Sequence, residues 1–403
     1  MPSLLVNLLR PLAPMWMAVL LAAPFCLPPR LRAEDARPAA PAAIGPKQAK
    51  ADPDGKWLWY DLRTLGVEGK GWTDTPGFYH RLPARAQGVV GKYVWGLSRH
   101  SAGLRTRFVT DADRIAARWT VASKEMAMDP MPATGVSGLD LYVRHRGRWQ
   151  WIGVGRPRRP LTNQATLAKG IPEGSHQYLL YLPLYNELRS LEIGIPPGAA
   201  LVKAPPYPRE RAKPIVFYGT SITQGGCASR PGMAHTAILS RRLDWPFINL
   251  GFMGTGTMDL EVGALMAELD ASVYVVDCLP NMKAPLVAQR AEPFVTALRK
   301  ARPDVPIVLV ENIAYQAGAF LPPMREKHES RNRALRTAYE RLAERGITKL
   351  HYIPGRTLLG NDGEATVDGT HPTDLGFHRF AAALEPVLRR VLESREGEAN
   401  EDP

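Results

Sequence analysis

Between residues 213 and 395 the chain alternates short apolar runs with longer amphipathic patterns, and this alternation constrains the fold more than any other feature. Each run has the length of a strand buried on both faces, and a helical pattern follows it. The runs are 215–218, 247–250, 273–278, 306–310 and 350–353. Helices are predicted over 233–243, 260–269, 286–301, 329–345 and 373–393. Repeated βα units predict an α/β domain with a parallel sheet covered by helices on both faces.

Residues 56–205 carry a different pattern. Short runs rich in Val, Tyr, Trp and Leu are separated by Gly and Pro, and no long amphipathic helix interrupts them. Arg146-Gly147 is flanked by two such runs and predicts a hairpin. The segment is therefore predicted to be an all-β sandwich, and 205–208 (Pro-Pro-Tyr-Pro) marks the boundary. Seven of the nine tryptophans fall between Trp57 and Trp151, where core packing and stacking on sugars are alternative roles.

The two ends of the chain have compositions of their own. Residues 1–33 are predicted to be a signal peptide, because Arg10 precedes an apolar stretch at 15–27 and Leu-Arg-Ala (31–33) is a plausible cleavage site. An uncleaved N-terminal anchor is the alternative. Residues 34–55, rich in Ala and Pro, are predicted to be a linker, and 396–403 a disordered tail. These features predict a periplasmic or secreted protein that is not stably inserted in a membrane after cleavage.

The chain is basic, with a formal charge of +12. The charge is scattered and contains no basic run of five or more residues, so binding to nucleic acid is not predicted. Attraction to an acidic polysaccharide or an anionic membrane would account for the charge equally well. No pattern indicates an oligomeric state.

A serine stands at the turn after the first run of the α/β segment. Ser221 lies in Gly-Thr-Ser-Ile-Thr (219–223), directly after 215–218. A residue leaving a strand there is held at the carboxyl edge of the sheet, where open α/β folds bind ligands. The alternative is an ordinary loop whose serine bonds the local backbone. Three further stretches are expected at the same edge, namely 249–254 (Asn-Leu-Gly-Phe-Met-Gly), 277–281 (Asp-Cys-Leu-Pro-Asn) and 368–371 (Asp-Gly-Thr-His).

Together these stretches hold the groups of a serine esterase. His371 can take the proton of Ser221 Oγ, and Asp368 can bond the far imidazole nitrogen and fix its tautomer. The backbone N–H groups of Ser221 and Gly254 and the side-chain amide of Asn281 are candidate donors to an oxyanion. A turn or helix-capping role is the alternative for Asn281.

In these blocks the segment of about 213–390 resembles the SGNH (GDSL-type) hydrolase superfamily. The four residues that name the superfamily match Ser221, Gly254, Asn281 and His371, and its triad acid matches Asp368. The first block has threonine where the family has aspartate, and the third lacks the family's flanking glycine and aspartate. Upstream, 135–142 (Gly-Val-Ser-Gly-Leu-Asp-Leu-Tyr) resembles the GxDLY signature of a domain that precedes some of these hydrolases.

The resemblance implies a flavodoxin-like hydrolase domain at 213–395, preceded by a β-sandwich (jelly-roll) domain. It also implies an exported esterase that works through an acyl-enzyme without metal or organic cofactor. Because relatives include sugar deacetylases, the expected substrate is an acetylated carbohydrate, as for an acetyl xylan esterase. A lysophospholipase or acyl-thioesterase is the alternative within the enzyme class, and a non-catalytic carbohydrate-binding protein is the alternative outside it.

The remaining candidate residues have weaker patterns. Cys227 and Cys278 lie near the carboxyl ends of two predicted strands of the sheet. Two alternatives are therefore possible for them, a disulfide between the two or two separate buried thiols. His378, inside the last predicted helix, is expected to point along the sheet or into solvent, and His235 to be a surface or packing residue. A metal site made from Asp368, His371 and His378 is not predicted, because no other strand supplies a matching ligand. The loop 312–328 is expected to line the substrate cleft.

Overall fold

A computed structural model describes residues 43–401 of the chain. The predicted signal peptide, 1–33, and residues 34–42 of the predicted linker lie outside the described residues. In the described part no helix combines the length and apolar character that a membrane span needs.

The N-terminal region is a sandwich of two antiparallel sheets. One sheet has the order β1-β2-β9-β4-β7 and the other the order β10-β3-β8-β5-β6. The strands are β1 Ala49–Ala51, β2 Leu58–Asp61, β3 Arg105–Thr110, β4 Arg114–Val121, β5 Leu139–His145, β6 Arg148–Gly155, β7 Thr162–Lys169, β8 His176–Tyr181, β9 Leu188–Ile195 and β10 Leu201–Lys203. Short helices connect some of them, α1 Leu62–Leu65, α2 Lys92–Leu97 and α3 Ala133–Val136.

The sandwich is closed by a core of inward-facing side chains from both sheets. Trp119 and Ile193 from one sheet meet Phe108 and Leu180 from the other, as the two-residue alternation of strands requires. Trp59 and Trp119 are buried and pack in the core, whereas Trp151 is 44% exposed.

The C-terminal region is a parallel sheet with the order β12-β11-β13-β14-β15. Its strands are β11 Ile215–Gly219, β12 Phe247–Gly251, β13 Val273–Asp277, β14 Ile307–Val310 and β15 Leu350–Ile353. Its helices are α4 Ser221–Gln224, α5 His235–Leu243, α6 Leu260–Glu268, α7 Ala284–Ala301, α8 Pro322–Glu344 and α9 Asp374–Glu401. The predicted fold class, an α/β hydrolase domain after an all-β domain, is confirmed.

Both faces of this sheet are buried, and for that reason the strands read as unbroken apolar runs. On β11, Ile215 and Phe217 pack towards α5 and α9, whereas Val216 and Tyr218 pack towards α6, α7 and α8. The chain moves from β11 to one neighbour, β12, and then to the other, β13. This reversal places the carboxyl end of β11 at a topological switch point, where open α/β sheets bind ligands.

Three boundaries differ from the sequence-based predictions. The predicted linker contains β1, which pairs with β2 through Ala49 and Tyr60, so its described part is ordered. Helix α8 begins at Pro322, inside the predicted loop 312–328, because proline is well accommodated in the first turn of a helix. The last helix, α9, continues to Glu401 through the residues predicted to be a disordered tail.

Candidate active site

Ser221, His371 and Asp368 meet at the carboxyl edge of the sheet, as predicted. Ser221 is the first residue of α4, directly after β11, and its Oγ lies 2.8 Å from His371 Nε2. The other imidazole nitrogen, Nδ1, lies 2.7 Å from Asp368 Oδ2. With the proton on Nδ1, the second nitrogen is the acceptor that faces the serine hydroxyl. The three groups therefore form a continuous relay from an alcohol to a carboxylate.

The loop before α9 holds the carboxylate in its ionised form. Asp368 Oδ1 accepts the backbone N–H of Thr370 at 2.9 Å and of His371 at 2.7 Å. Partial burial alone would raise the pKa of Asp368. The hydrogen bonds from the backbone and the ring of His371 and from Thr370 outweigh it and hold that pKa below its ordinary value. Asp368 is thus charged and oriented towards the imidazole.

The turn that carries Ser221 is held from both domains. The Ser221 carbonyl accepts the N–H of Gly226 at 2.7 Å and the hydroxyl of Tyr185, from the β-sandwich, at 2.8 Å. Gly226 also borders the base, because a Cβ there would lie 3.3 Å from His371 Cδ2. Sequence reasoning missed Tyr185, since nothing local marks a tyrosine in the loop between β8 and β9 as part of this site.

Two backbone N–H groups of the predicted oxyanion hole have no intramolecular acceptor among the described residues. Within residues 43–401, no acceptor is bonded to the N–H of Ser221 or of Gly254. Gly254 has φ +72°, a conformation that favours glycine, and no atom lies within 4 Å of where its Cβ would be. Its loop is held by Phe252, whose N–H donates to Gly219 O at 3.0 Å. Neither N–H is occupied by a described residue, and their role as oxyanion donors stays a prediction.

Gln224 joins the two backbone segments that carry these donors. Its Oε1 accepts the N–H of Met253, next to Gly254, at 3.1 Å. Its Nε2 donates to Leu184 O and to His100 Nδ1, both at 3.1 Å and both in the β-sandwich. Gln224 directly follows the first sequence block, 219–223, but was not singled out, because only the folded contacts give its amide a role.

Asn281 ends a short 3₁₀ turn, Leu279–Asn281, after β13. Its amide is best oriented with the oxygen accepting the N–H groups of Thr255 and Gly256, each at 3.1 Å. In that orientation Nδ2 is released from the backbone carbonyls and is available to a ligand. Asn281 thus ties its own turn to the Gly254 loop, and this contact agrees with the turn role considered as its alternative.

A buried acid lies beneath the serine turn. Asp277, the last residue of β13, accepts the hydroxyl of Thr223 at 2.9 Å. Burial raises the pKa of Asp277 to about 7, and the Thr223 hydroxyl opposes this only in part.

The GxDLY stretch forms the contact between the domains. Asp140 is fully buried, and its Oδ2 accepts Arg230 at 2.7 Å and the N–H of Gly232 at 2.8 Å, both from the hydrolase domain. Arg230 also donates to the Tyr142 hydroxyl at 2.6 Å. A Cβ at Gly232 would lie 2.5 Å from that hydroxyl. The motif therefore fixes the segment that follows the serine turn.

A second contact between the domains uses a buried arginine. Arg81 donates to the carbonyls of Asn249 at 3.0 Å and Gly251 at 2.8 Å, at the carboxyl end of β12. Its remaining hydrogen bonds go to the carbonyls of Leu97 and His100 on its own side, each at 2.8 Å. Thus a guanidinium from the β-sandwich satisfies backbone groups directly below the Gly254 loop.

Other predicted residues lie apart from the relay. Cys227 and Cys278 are free, buried thiols that pack in the cores on opposite faces of the parallel sheet, so the disulfide alternative is wrong. His235 is a packing residue, buried against Phe380 at 4.5 Å between ring centres. His378 is exposed, as expected, and its Nδ1 lies 3.1 Å from Arg242.

Comparison with known proteins agrees with the two-part architecture. Residues 212–389 match the model of the GDSL-like lipase/acylhydrolase family, and residues 57–201 match GxDLY, the N-terminus of SGNH-hydrolase-type esterases. A Bacteroides ovatus protein assigned as a GDSL-like lipase is 36% identical, with a TM-score of 0.79, over 84% of this chain and 98% of its own. No curated protein sequence is significantly similar to the chain.

More distant structures share the fold. The salicylyl-acyltransferase SsfX3 of a tetracycline biosynthetic pathway is 20% identical with a TM-score of 0.63, over 88% of this chain and 98% of its own. The acetyl xylan esterase Est2A of the rumen bacterium Butyrivibrio proteoclasticus is 12% identical with a TM-score of 0.52, over 83% and 99%. The identity and coverage of the Bacteroides protein, with both family matches, show that this chain belongs to the GDSL-like (SGNH) lipase/acylhydrolase family and carries the family's GxDLY N-terminal domain.

Proposed function

We propose that the protein is a serine esterase that forms an acyl-enzyme on Ser221. The observation that carries the proposal is the relay from Ser221 Oγ through His371 to Asp368, at 2.8 Å and 2.7 Å. In the first half-reaction His371 Nε2 takes the hydroxyl proton while Oγ attacks the ester carbonyl. The same imidazolium then protonates the departing alcohol oxygen as the carbonyl–oxygen bond breaks, which leaves the acyl group on Ser221.

Water completes the proposed cycle. His371 accepts a proton from a water molecule while the water oxygen attacks the carbonyl of the acyl-enzyme. It returns that proton to Ser221 Oγ as the carboxylic acid leaves. Throughout, ionised Asp368 stabilises the imidazolium and holds its tautomer. The N–H groups of Ser221 and Gly254, joined by Nδ2 of Asn281, are the proposed donors to the oxyanion. The reaction so written needs no metal or organic cofactor.

The first test compares wild type with Ser221→Ala on nitrophenyl acetate. Loss of the nucleophile is expected to lower kcat by roughly 10³- to 10⁶-fold. Ser330→Ala is the matched control, because the Ser330 hydroxyl is exposed on α8 and donates to the Glu326 carbonyl; it should retain the wild-type rate. Equal rates for wild type and Ser221→Ala would refute the mechanism.

The proposed substrate is an acetylated polysaccharide. The His371 and Asp368 side chains are 22% and 36% exposed, so this end of the relay is accessible from solvent. The fold shared with an acetyl xylan esterase supports the same choice by analogy only. Acetyl esters should be hydrolysed faster than octanoyl esters of the same alcohol, whereas the reverse preference would favour a lysophospholipase or acyl-thioesterase. Acetate release from acetylated xylan then tests the polymer directly.

The proposed setting is the periplasm or the exterior of the cell. This rests on the leader-like pattern of residues 1–33 and on a polymeric substrate found outside the cytoplasm. Mass spectrometry of the protein recovered from each cell fraction tests it, since removal of the leader gives a chain that begins near residue 34.

A further inference from the structure

A cleft of about 550 Å³ opens between the β-sandwich and the hydrolase domain. One wall is the β5–β6 hairpin, and the other is formed by residues of α5 and α9 and by Arg230 before α5. Its lining is dominated by arginine. The guanidinium groups belong to Arg144, Arg148, Arg230, Arg241 and Arg242.

The carboxylates of the lining do not balance these charges. Asp244 is held by Arg144 at 2.7 Å and 3.2 Å, and Glu385 is held by Arg242 at 3.2 Å. Arg148 is exposed, and its side chain has no hydrogen bond or ion pair with any residue in the described range 43–401. The cleft therefore keeps an excess of positive charge.

Two further arginines of the lining, Arg230 and Arg241, belong to the hydrolase domain and donate to side chains of the β-sandwich. Arg230 is paired with Asp140, behind the lining, at 2.7 Å. Arg241 donates to the carbonyl of Gly232 at 2.8 Å and to the hydroxyl of Tyr181 at 3.2 Å, which are both neutral partners.

The pKa of a histidine in the lining, His378, is lowered in this environment. Desolvation lowers the pKa of His378, and the guanidinium groups of Arg242 and Arg241 lower it further. Asp374 opposes them in part. The electrostatic environment of His378 is thus cationic, in keeping with the charge balance of the lining.

The cleft also offers one aromatic ring surface beside its charges. Half-buried Trp149 lines it, with the Arg144 guanidinium 5.3 Å from its ring, whereas Tyr142 in the lining is buried, with the Arg241 guanidinium 4.1 Å from its ring. Guanidinium groups bind carboxylates and sulfates through paired N–H donors, and aromatic rings pack against the apolar faces of sugars. A sugar that carries an acidic group matches this combination.

The position of the cleft relates it to Ser221. Ser229, next to Arg230, donates its N–H to Asp374 at 2.9 Å, three residues after His371. His378 lies four residues further along α9, about 6 Å along the helix axis. A polymer with an ester at Ser221 would therefore reach the arginines within a few sugar units.

We propose that this cleft binds an acidic sugar unit of the polymer, so that the enzyme prefers polyanionic acetylated glycans to neutral ones. The inference rests on the proposed esterase function for the reacting site, and it adds the class of polysaccharide. The recognised group is a carboxylate or sulfate on the glycan chain.

Binding tests the cleft without turnover. In the Ser221→Ala background, affinity for polygalacturonate is measured and compared with affinity for unsubstituted xylan. Polygalacturonate should bind more tightly, with an affinity that falls as salt rises. Arg148→Glu should weaken its binding by roughly 2- to 10-fold. Arg159→Glu, an equal charge reversal of an exposed arginine outside the lining, should retain most of the affinity.

Equal binding of both polymers, or equal weakening by the two variants, would overturn the proposal. Binding to anionic phospholipid vesicles but not to polygalacturonate would overturn it as well, because it would assign the charge to a membrane.

Hydrolysis separates this inference from the proposed function. The ratio of kcat/KM on acetylated polygalacturonate to that on acetylated xylan should fall in Arg148→Glu and stay at the wild-type value in Arg159→Glu. An unchanged ratio in an active Arg148→Glu enzyme would refute the cleft alone. Equal activity of wild type and Ser221→Ala would refute the esterase mechanism, whatever the polymers show in the binding assay.

Discussion

Asp140 connects the two domains through one buried carboxylate, and its replacement allows a quantitative prediction. The carboxylate accepts three donors: Arg230, the N–H of Gly232, and Trp151 Nε1 at 2.8 Å. In Asp140→Asn the amide oxygen can keep the two donors on the Oδ2 side. The new NH₂ group then faces the indole N–H, so one hydrogen bond and the negative charge are lost.

Breaking a buried ion pair by removing one partner costs about 3–5 kcal/mol. Asp140→Asn should lower the free energy of unfolding by roughly 2–3 kcal/mol, near or below the lower limit of that range. The reason is that Arg230 keeps its bond to Tyr142 and its side chain is 22% exposed. Asp140→Ala leaves all three donors without this acceptor and should cost more, about 4–5 kcal/mol.

Calorimetry and urea unfolding followed by tryptophan fluorescence measure the effect. Because the carboxylate spans both domains, Asp140→Ala should also broaden or split the unfolding transition. Asp113→Asn is the control, since the Asp113 side chain is 62% exposed and pairs with Arg114, whose side chain is 40% exposed; it should change stability by less than about 0.5 kcal/mol. A single transition within about 1 kcal/mol of wild type for Asp140→Ala would refute the reasoning.

Three further predictions concern groups around the serine turn. The pKa of Asp277 is raised in the folded chain to about 7 from 3.8. The protonated carboxyl therefore stabilises the fold fully below pH 3.8, and this contribution is lost as the pH rises through about 7. Relative to Asp277→Asn, wild type should lose roughly 2–3 kcal/mol between about pH 5 and about pH 8, and melting curves that move in parallel would contradict this. Tyr185→Phe should lower kcat only a few-fold, because the Ser221 carbonyl keeps its hydrogen bond from the Gly226 N–H. Tyr93→Phe, at an exposed position, is the control. A loss of kcat in Tyr185→Phe as large as that in Ser221→Ala would be inconsistent with a supporting role. Thiol titration of folded protein should leave Cys227 and Cys278 unreacted, and unfolding without reductant should release both; failure to release them would restore the disulfide.

The sequence predicted the parallel sheet because strands β11 to β14 are buried on both faces and carry a local signal. The positions of Ser221 and His371 followed from that topology, since the carboxyl ends of parallel strands share one edge. The start of α8 was missed because Pro322 is compatible both with a loop and with a first helical turn. Order in the predicted linker was missed for another reason: β1 is stabilised by pairing with β2, which composition does not report.

Apart from the GxDLY stretch, several residues that act across the domain contact had no local signal. Tyr185, Gln224 and His100 obtain their roles from partners far along the chain, for example the 124 residues between Gln224 and His100. For the cysteines the sequence left a disulfide and two separate buried thiols open, and the structure has the separate thiols. The parallel sheet separates the two side chains, because one packs on each of its faces.

Arg81 has a consequence for how this protein can be re-engineered. Its guanidinium completes the hydrogen bonding of Asn249 and Gly251, so the hydrolase domain expressed alone would leave those carbonyls without that donor. The β-sandwich therefore cannot be exchanged for an unrelated binding module in the way that a tethered domain can. A chimera would need to supply an arginine that reaches the same two carbonyls, and recombination at the 205–208 boundary should yield active enzymes only between parents that share this contact.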